Sequence, residues 1–460
     1  MDKVGTDGDL ARRDRDPARR DRDLRPLTTG RPLTTGRLAK ATLRETRAHN
    51  ERLVLATIYD DGPVSRAEVA RLTSLTRTTV SDVVDGLLSA NLVLEMGRGA
   101  STGGKAPILL AVPDVARVLV GVDLGDQVFS AATVNLRGEI IDRLELPSED
   151  ADGEKGVDLA LRLIEQVLAL AGPNVVGIGI GAPGLVDTTD GTVIEAVKRR
   201  WRELPLGRRV AEKFGLPVYV ANDSQAAALA EHVYGSVRPS NLIVIKVGQG
   251  IGAGLVLHNE LFQGDGFGAG EIGHFVIDPA GEACRCGRQG CLETVASTRA
   301  VLQHLGELAG RPVSIDEAVA AFNAGDGATN AVVLNAGERL GQAVGALIGA
   351  LNVRRIVLAG SMAAFGESWL AAVREAARTS ALAALTEDTT LELGGIEDIV
   401  VLGASALLMT RELGLTLRPV HPVRRLRSLE AGSTEALDRA RDVAGIVPAE
   451  LVVQRGGRGG

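Results

Sequence analysis

All three cysteines of this 460-residue chain, Cys284, Cys286 and Cys291, fall within one short loop, and His274 stands just upstream of them. Three soft thiolates and one imidazole make the ligand set of a closed tetrahedral zinc site, and Gly287 and Gly290 let so short a loop turn back on a single ion. The alternative is three reduced cysteines in an irregular loop. A disulfide framework fits worse, because the count is odd and a chain of this length needs no staples. Four protein ligands leave no open position for an activated water, so the expected role of the metal, Zn2+, is structural.

The length allows two or three domains with cores of their own. No apolar run approaches a membrane span, and the arginine- and aspartate-rich start lacks the apolar middle of a signal peptide. The simplest expectation is a cytoplasmic protein with reduced thiols. The net charge of −7 hides an asymmetry: 19 Lys and Arg stand against 15 Asp and Glu through residue 112, and 32 against 43 after it. A mildly basic front on an acidic body suits a DNA-binding module joined to something else.

Residues 1–44 carry two short duplications, beginning at Ala11 and Ala18 and at Arg25 and Arg31, and hold nothing that could bury a core; a disordered tail is expected. A compact module is expected over residues 45–112. Leu53, Leu55, Ala56 and Ile58 mark a first helix, ended by Asp60-Asp61-Gly62-Pro63. Ser65 and Glu68 have capping-box spacing and open a short second helix, Ser74 and Leu75 make a turn, and Thr76 caps a third helix. In that helix Val80, Val83, Val84, Leu87 and Leu88 form the apolar stripe, leaving Arg77, Thr78, Thr79 and Ser81 exposed at its start. This is helix-turn-helix spacing, in which the start of the third helix meets base edges and phosphates. Leu92 to Leu94 and Ile108 to Leu110 then read as a two-stranded wing whose tip brings Arg98 and Lys105 to a DNA backbone or minor groove. The competing reading is a three-helix packing module that touches no DNA.

After Pro113-Asp114 the pattern turns α/β. Strands are expected over residues 118–123, 128–134 and 139–144, a helix over 157–171, and strands over 175–180 and 218–220. A second lobe starts with the strand 242–247 and runs through the cysteine loop to a strand at 356–358 and a last helix over 405–413. Three strands, then strand and helix, occurring twice, resemble the two-lobed actin-like ATPase fold with a cleft between lobes. This body is expected over residues 115–415, and 416–460 as a frayed C-terminal tail.

Glu271-x-Gly-His274 followed by Cys284-x-Cys286-Gly-x-x-Gly-Cys291-x-Glu293 resembles the signature of the ROK family, which joins repressors, open reading frames and kinases. The resemblance covers roughly residues 45–410. It implies that the zinc loop shapes a sugar pocket in which Glu271, His274 and Glu293 hold hydroxyls. It places Asn222 and Asp223 on the sugar as well, Asp223 being the position that accepts the attacking hydroxyl's proton in the family's kinases. The bland reading of Asn222-Asp223 is a turn and an N-cap for the next helix. Lys198 stands where family members often carry a sugar-touching asparagine, so it is a candidate ligand for an anionic or strongly accepting group; a solvated basic loop is the alternative.

The ATP side departs from the family's kinases at three places. Their Asp-x-Gly-Gly-Thr is here Asp123-Leu-Gly125-Asp126-Gln127, and an aspartate ~4 Å from a phosphate charge costs roughly 4 kcal/mol at an effective dielectric of about 20. Gly248-Gln249-Gly250 has glutamine where kinases usually have threonine, and Ala359-Gly360-Ser361 replaces a Gly-Gly pair. The resemblance therefore implies a winged helix-turn-helix in front of a ROK effector body. The expected function is a sugar-responsive transcriptional regulator, commonly a repressor of carbohydrate-metabolism genes, with operator DNA and a sugar as partners and no enzymatic activity. Paired half-sites imply a homodimer or higher homo-oligomer. The enzyme alternative is a ROK sugar kinase, and a third reading is a zinc-stabilised scaffold.

Overall fold

The computed structural model describes residues 43–100, 106–149 and 151–415. Residues 1–42 of the tail expected over 1–44, and the tail expected over 416–460, lie outside the described residues, as does Lys105; residues 43 and 44 open the first helix. The described residues from Ala48 onward form one compact unit.

The front of this unit comprises α1 (Leu43–Asp61), β1 (Val64–Ser65), α2 (Arg66–Thr73), α3 (Arg77–Ser89), β2 (Leu94–Arg98) and β3 (Ile108–Ala111), with the strands in the order β1-β3-β2. Local chemistry sets the turn between α2 and α3. Ser74 adopts φ 57°, and the Thr76 hydroxyl accepts from the Thr79 amide, closing the start of α3. The capping box at Ser65 is half formed: Ser65 accepts from the Glu68 amide, whereas the Glu68 carboxylate accepts from Arg71 at 3.1 Å. The first wing strand is displaced from its expected position. The Leu92 amide donates to Leu87 O, which spends Leu92 and the buried Val93 on closing α3, so pairing starts at Leu94.

The body then runs β4 (Val118–Asp123), β5 (Val128–Asn135), β6 (Ile140–Pro147), α4 (Gly153–Ala171), β7 (Val175–Ala182), β8 (Leu185–Asp187), β9 (Thr192–Ala196), β10 (Trp201–Leu204), α5 (Leu206–Phe214), β11 (Val218–Asn222) and α6 (Asp223–Tyr234). The second half contains β12 (Leu242–Val247), β13 (Ile251–Leu257), β14 (Glu260–Phe262), α7 (Glu293–Ala296), α8 (Thr298–Ala309), α9 (Ile315–Asn323), α10 (Gly327–Leu351), β15 (Arg355–Ala359), α11 (Gly366–Ser380), α12 (Ala383–Thr386), β16 (Thr390–Leu393) and α13 (Ile399–Leu408). Two five-stranded sheets, β11-β7-β4-β5-β6 and β14-β13-β12-β15-β16, share one plan. In each, three strands pair antiparallel through short turns and two more join in parallel, which takes helical crossovers. The sequence pattern of strand triplets occurring twice is this duplication.

The last helix starts at Ile399, six residues before its expected start, because its run of Ile, Val, Leu, Gly and Ala is apolar all round and buried. α13 lies against β4, β7 and α6 at glycine-sized clearances. A Cβ on Gly179 would stand 2.0 Å from Ala404 O, and one on Gly403 would stand 1.7 Å from Ala226 O.

The boundary expected at Pro113-Asp114 joins the two parts rather than separating their cores. Val54, Ile58 and Tyr59 of α1 and Val80, Val84 and Leu87 of α3 share one apolar cluster with Leu119, Val134, Leu136, Val233 and Val401 of the body. Polar contacts reinforce it: the Tyr59 hydroxyl donates to Leu136 O, Arg137 lies 4.1 Å over the Tyr59 ring and 2.8 Å from Asp114, and Arg117 donates to Ala90 O.

Replacing Gly403 with alanine forces backbone apart at the α13 to α6 contact. Chemical denaturation of Gly403→Ala is expected to show a loss of at least about 2 kcal/mol; an unchanged midpoint would mean that the contact relaxes freely.

Candidate functional site

The cleft between the two sheets gathers the polar ends of several elements. Asn222 ends β11 and caps α6, its Oδ1 accepting from the Ser224 and Gln225 amides at 2.9 and 3.2 Å, while its Nδ2 donates to Gly184 O at 2.9 Å. The capping role foreseen for this dipeptide is therefore real, and it holds the next residue in the cleft. Asp223 has both oxygens engaged. Oδ2 lies 2.7 Å from Lys246 Nζ, and Oδ1 accepts from the Ser224 amide at 2.7 Å and its hydroxyl at 3.1 Å.

Lys246 escaped the sequence reading. The available signal was a single cation inside the otherwise apolar strand Leu242–Val247. Such a residue is stable there only if its head emerges beside acids. Besides Asp223, its charge acts on Asp123 and Asp126. Asp123 Oδ1 is shielded from solvent and has no hydrogen-bond partner. Burial first pushes its carboxyl up to about 7, against the pull of Lys246 and with further push from Asp223, Asp126 and Asp398.

Across the cleft, Glu271 precedes the short helical turn Ile272–His274. Burial, then the charges of Asp223 and Glu293, push its carboxyl up to about 7. Glu271 Oε2 lies 3.9 Å from His274 Nε2, and Glu293, the first residue of α7, lies 3.4 Å from Arg299. Asn222, Asp223, Glu271, His274 and Glu293 thus gather around one cleft.

Lys198 is placed otherwise. Its Nζ is 3.3 Å from Asp126 Oδ2, so it neutralises the aspartate of the first loop. Its neighbour Arg199 is a fully buried clamp. It donates to the carbonyls of Ser148, Ala151 and Gly125 and stacks 4.7 Å over the Phe129 ring, fixing the first loop in place. No pattern in the sequence marked it. The glycines kept in the second loop have neighbours of this chain to accommodate: a Cβ on Gly250 would stand 2.7 Å from Glu293 Oε2, and one on Gly252 2.4 Å from Ser224 Oγ. In the third loop the Ser361 hydroxyl is 2.7 Å from that of Thr298.

Beside the pocket, one donor atom each from His274, Cys284, Cys286 and Cys291 lies within 4.8 Å of the other three. Cys286 Sγ to Cys291 Sγ and Cys284 Sγ to His274 Nδ1 are both 3.7 Å. For metal–sulfur bonds of about 2.3 Å, neighbouring ligands of a tetrahedron stand roughly 3.8 Å apart, so the group can hold a metal ion as it stands. Burial and the adjacent thiols push Cys291 up to about 12, which means the three sulfurs need a cation to ionise together. Nδ1 of His274 faces this cluster and Nε2 faces Glu271, so one ring joins metal loop and pocket.

On the front module, Arg77 and Thr78 are exposed on the first turn of α3, and Arg98 is exposed at the end of β2. Thr79 and Ser81 are half-buried; the Thr79 hydroxyl lies 2.8 Å from that of Thr76, and Ser81 O accepts from Arg66.

A family model described as ROK family matches residues 119–411. The chain belongs to the ROK family. Over 380 residues it is 33% identical to a xylose repressor of Caldicellulosiruptor bescii, covering 78% of this chain and 95% of that protein. A crystal structure described as a ROK family transcriptional regulator, homologous to the Escherichia coli MLC protein, superposes with a TM-score of 0.70 at 28% identity, over 81% of this chain and 98% of that one. A ROK glucokinase from Streptomyces griseus, solved with glucose and AMPPNP, gives a TM-score of 0.55 at 28% identity over 63% of this chain and 98% of its own. Among the described residues no helix is long and apolar enough to cross a membrane.

The metal cluster and the buried acid are each open to measurement. Elemental analysis should find one zinc per purified chain, and Cys291→Ser should lower that content and the melting temperature together; a folded, metal-free wild type contradicts this. Asp123 takes up a proton on folding, since burial holds its carboxyl near 7, well above its unfolded value. Its stabilising contribution is full in acid and is lost as pH rises through 7. Asp123→Asn is neutral throughout, so its advantage over wild type in denaturant melts should be about 2 kcal/mol larger at pH 8 than at pH 5.5; a pH-independent difference contradicts the assignment.

Proposed function

We propose that this chain is a sugar-responsive DNA-binding transcriptional regulator, acting in the cytoplasm as a homodimer on paired half-sites, and in its commoner mode a repressor. The observation that carries the reading is the fusion of two units through one core: a helix-turn-helix with an exposed recognition turn, and a pocket of sugar-type acceptors. The repressor and regulator relatives align over 78% and 81% of this chain, whereas the glucokinase covers 63% of it, a share close to that of the body alone. The ligand is a sugar or sugar derivative bound by Asn222, Asp223, Glu271, His274 and Glu293, with a structural zinc on His274, Cys284, Cys286 and Cys291 orienting the imidazole. Lys198 adds to the pocket only a cation already paired with Asp126. Operator contacts come from Arg77 and Thr78, with Thr79 and Ser81 beside them, and from Arg98 and Lys105 of the wing.

The coupling has a physical path. α6 begins at Asp223 in the pocket and ends at Tyr234, where Val233 and Tyr234 join the cluster that holds α1 and α3. A ligand that favours one arrangement of the cleft shifts this helix by its differential affinity, and operator must change sugar affinity by the same factor as sugar changes operator affinity.

The second reading is a ROK sugar kinase, favoured by the glucokinase likeness and the retained Asp223. Against it stand the engagement of both Asp223 oxygens by Lys246 and Ser224 and the clamped first loop carrying Asp126. A general base must be free to reach the proton it takes.

The test is a gel shift on the chain's own upstream DNA with pentoses and hexoses added, xylose and glucose included. Wild type should bind and respond to one of them. Arg77→Ala should lose about 1 to 3 kcal/mol of operator affinity, and Glu271→Ala should keep operator binding while losing the sugar response. Sugar-dependent ATP consumption, or a full response in Glu271→Ala, would overturn the assignment.

A further inference from the structure

Phosphoryl transfer from ATP depends on divalent metal bridging the phosphates and neutralising the developing charge. A cleft of this architecture without nucleotide keeps the acids and lacks that charge. Here the acids converge on one side chain of the chain itself. Lys246 stands on β12 of the second sheet, and its Nζ is 2.7 Å from Asp223 Oδ2, at the end of β11 in the first sheet. Its charge also acts on Asp123, at the end of β4, and on Asp126. The second oxygen of Asp223 is tied to Ser224, while Asp123 Oδ1 is shielded from solvent with no partner and so has acceptor capacity unused.

We propose that Lys246 is an internal cation standing in for the metal of a metal–nucleotide complex: held on Asp223, it balances Asp223 and Asp123 and ties the two sheets together at the cleft floor. The pocket is thereby assembled with no nucleotide, and sugar binding is independent of ATP and magnesium. This rests on the reading of the chain as a sensor and goes beyond it, by naming the residue that replaces the cofactor.

Several features agree. A lysine on a buried strand costs desolvation, which the acids repay only at close range. An ammonium is a compact point charge with three donors, suited to gathering carboxylates from different directions, where a guanidinium fork would bridge two oxygens of one acid. The acids left behind on its removal are oxygen ligands of the hard kind that magnesium and manganese prefer. Lys246 also sits within donor range of one oxygen of Asp223, the position of the base in the family's kinases. One lysine in an apolar strand thus both engages the base position and supplies the charge a metal would bring.

The experiment uses the full-length chain with its zinc content verified and Mn2+ alone as probe, read by electron paramagnetic resonance and by thermal melting. Lys246→Met and Lys246→Gln should each bind one Mn2+ at least tenfold tighter than wild type. Mn2+ should raise their melting temperatures and leave that of wild type unchanged. Adding Asp123→Asn to Lys246→Met should abolish the gain, and Lys246→Arg, which keeps a charge, should show none. Absence of any Mn2+ gain in both neutral variants overturns the proposal, as does their failure to fold at every Mn2+ concentration, or a gain that survives Asp123→Asn. None of these readouts uses sugar or DNA. A wild type that ignores every sugar in the gel shift, with Lys246 variants that take up Mn2+, sinks the sensor reading and leaves this one standing.

Discussion

Helix α6 is committed at both ends, and the arrangement of the molecule depends on that. Its first turn is fixed by Asn222, whose side chain caps the helix with one atom and holds the Gly184 carbonyl with another. Its last turn is buried against the shared core of front module and body. Its middle is wedged between β13 and α13, where Ala226 O meets Gly403 and Ser224 O meets Gly254 at distances that admit no side chain. A helix of 12 residues spans about 18 Å, so cleft and front module are joined by one rigid element rather than by a chain of side-chain contacts. Packed interiors respond to a shift at one end by moving as a body, because they have little free volume in which to absorb it.

The electrostatics of the cleft obey a simple matching. Five acids border it, Asp123, Asp126, Asp223, Glu271 and Glu293, and three cations answer them among the described residues: Lys198 on Asp126, Lys246 on Asp223 and Arg299 on Glu293. The two acids in no close ion pair with a lysine or arginine, Asp123 and Glu271, are the two pushed up to about 7. Burial is the largest cause for both, and the surplus of negative charge adds to it. Glu271 therefore has a carboxyl that can donate as well as accept near neutral pH, which widens the set of hydroxyl geometries it can meet.

Much of this was legible in the sequence. The metal cluster was, because ligand identity and glycine spacing are local properties that tertiary packing had only to close. The duplicated strand triplets were, because buried strands announce themselves as apolar runs. The wing strand was misplaced because closing α3 took Leu92 and Val93, a choice made by hydrogen bonds that periodicity does not encode. Arg199 and Lys198 show the deeper limit. Adjacent in a basic run, one is a fully buried clamp on three carbonyls and the other the partner of Asp126, and only the folded path of the first loop separates those fates.

The same contrast bears on how a kinase-like body becomes a sensor. The aspartate at position 126 was expected to exclude phosphate by its charge, yet with Lys198 at 3.3 Å that charge is largely answered. What remains is a matter of contacts: Arg199 holds the Gly125 and Ser148 carbonyls of the first loop, and Lys246 is paired with Asp223. The second-loop glycines Gly250 and Gly252 are required by the crowding of Glu293 and Ser224, whether or not the loop holds a phosphate. Retained glycines in such a loop are thus poor witnesses to nucleotide binding, whereas Lys246 in the adjacent strand engages one oxygen of Asp223 directly.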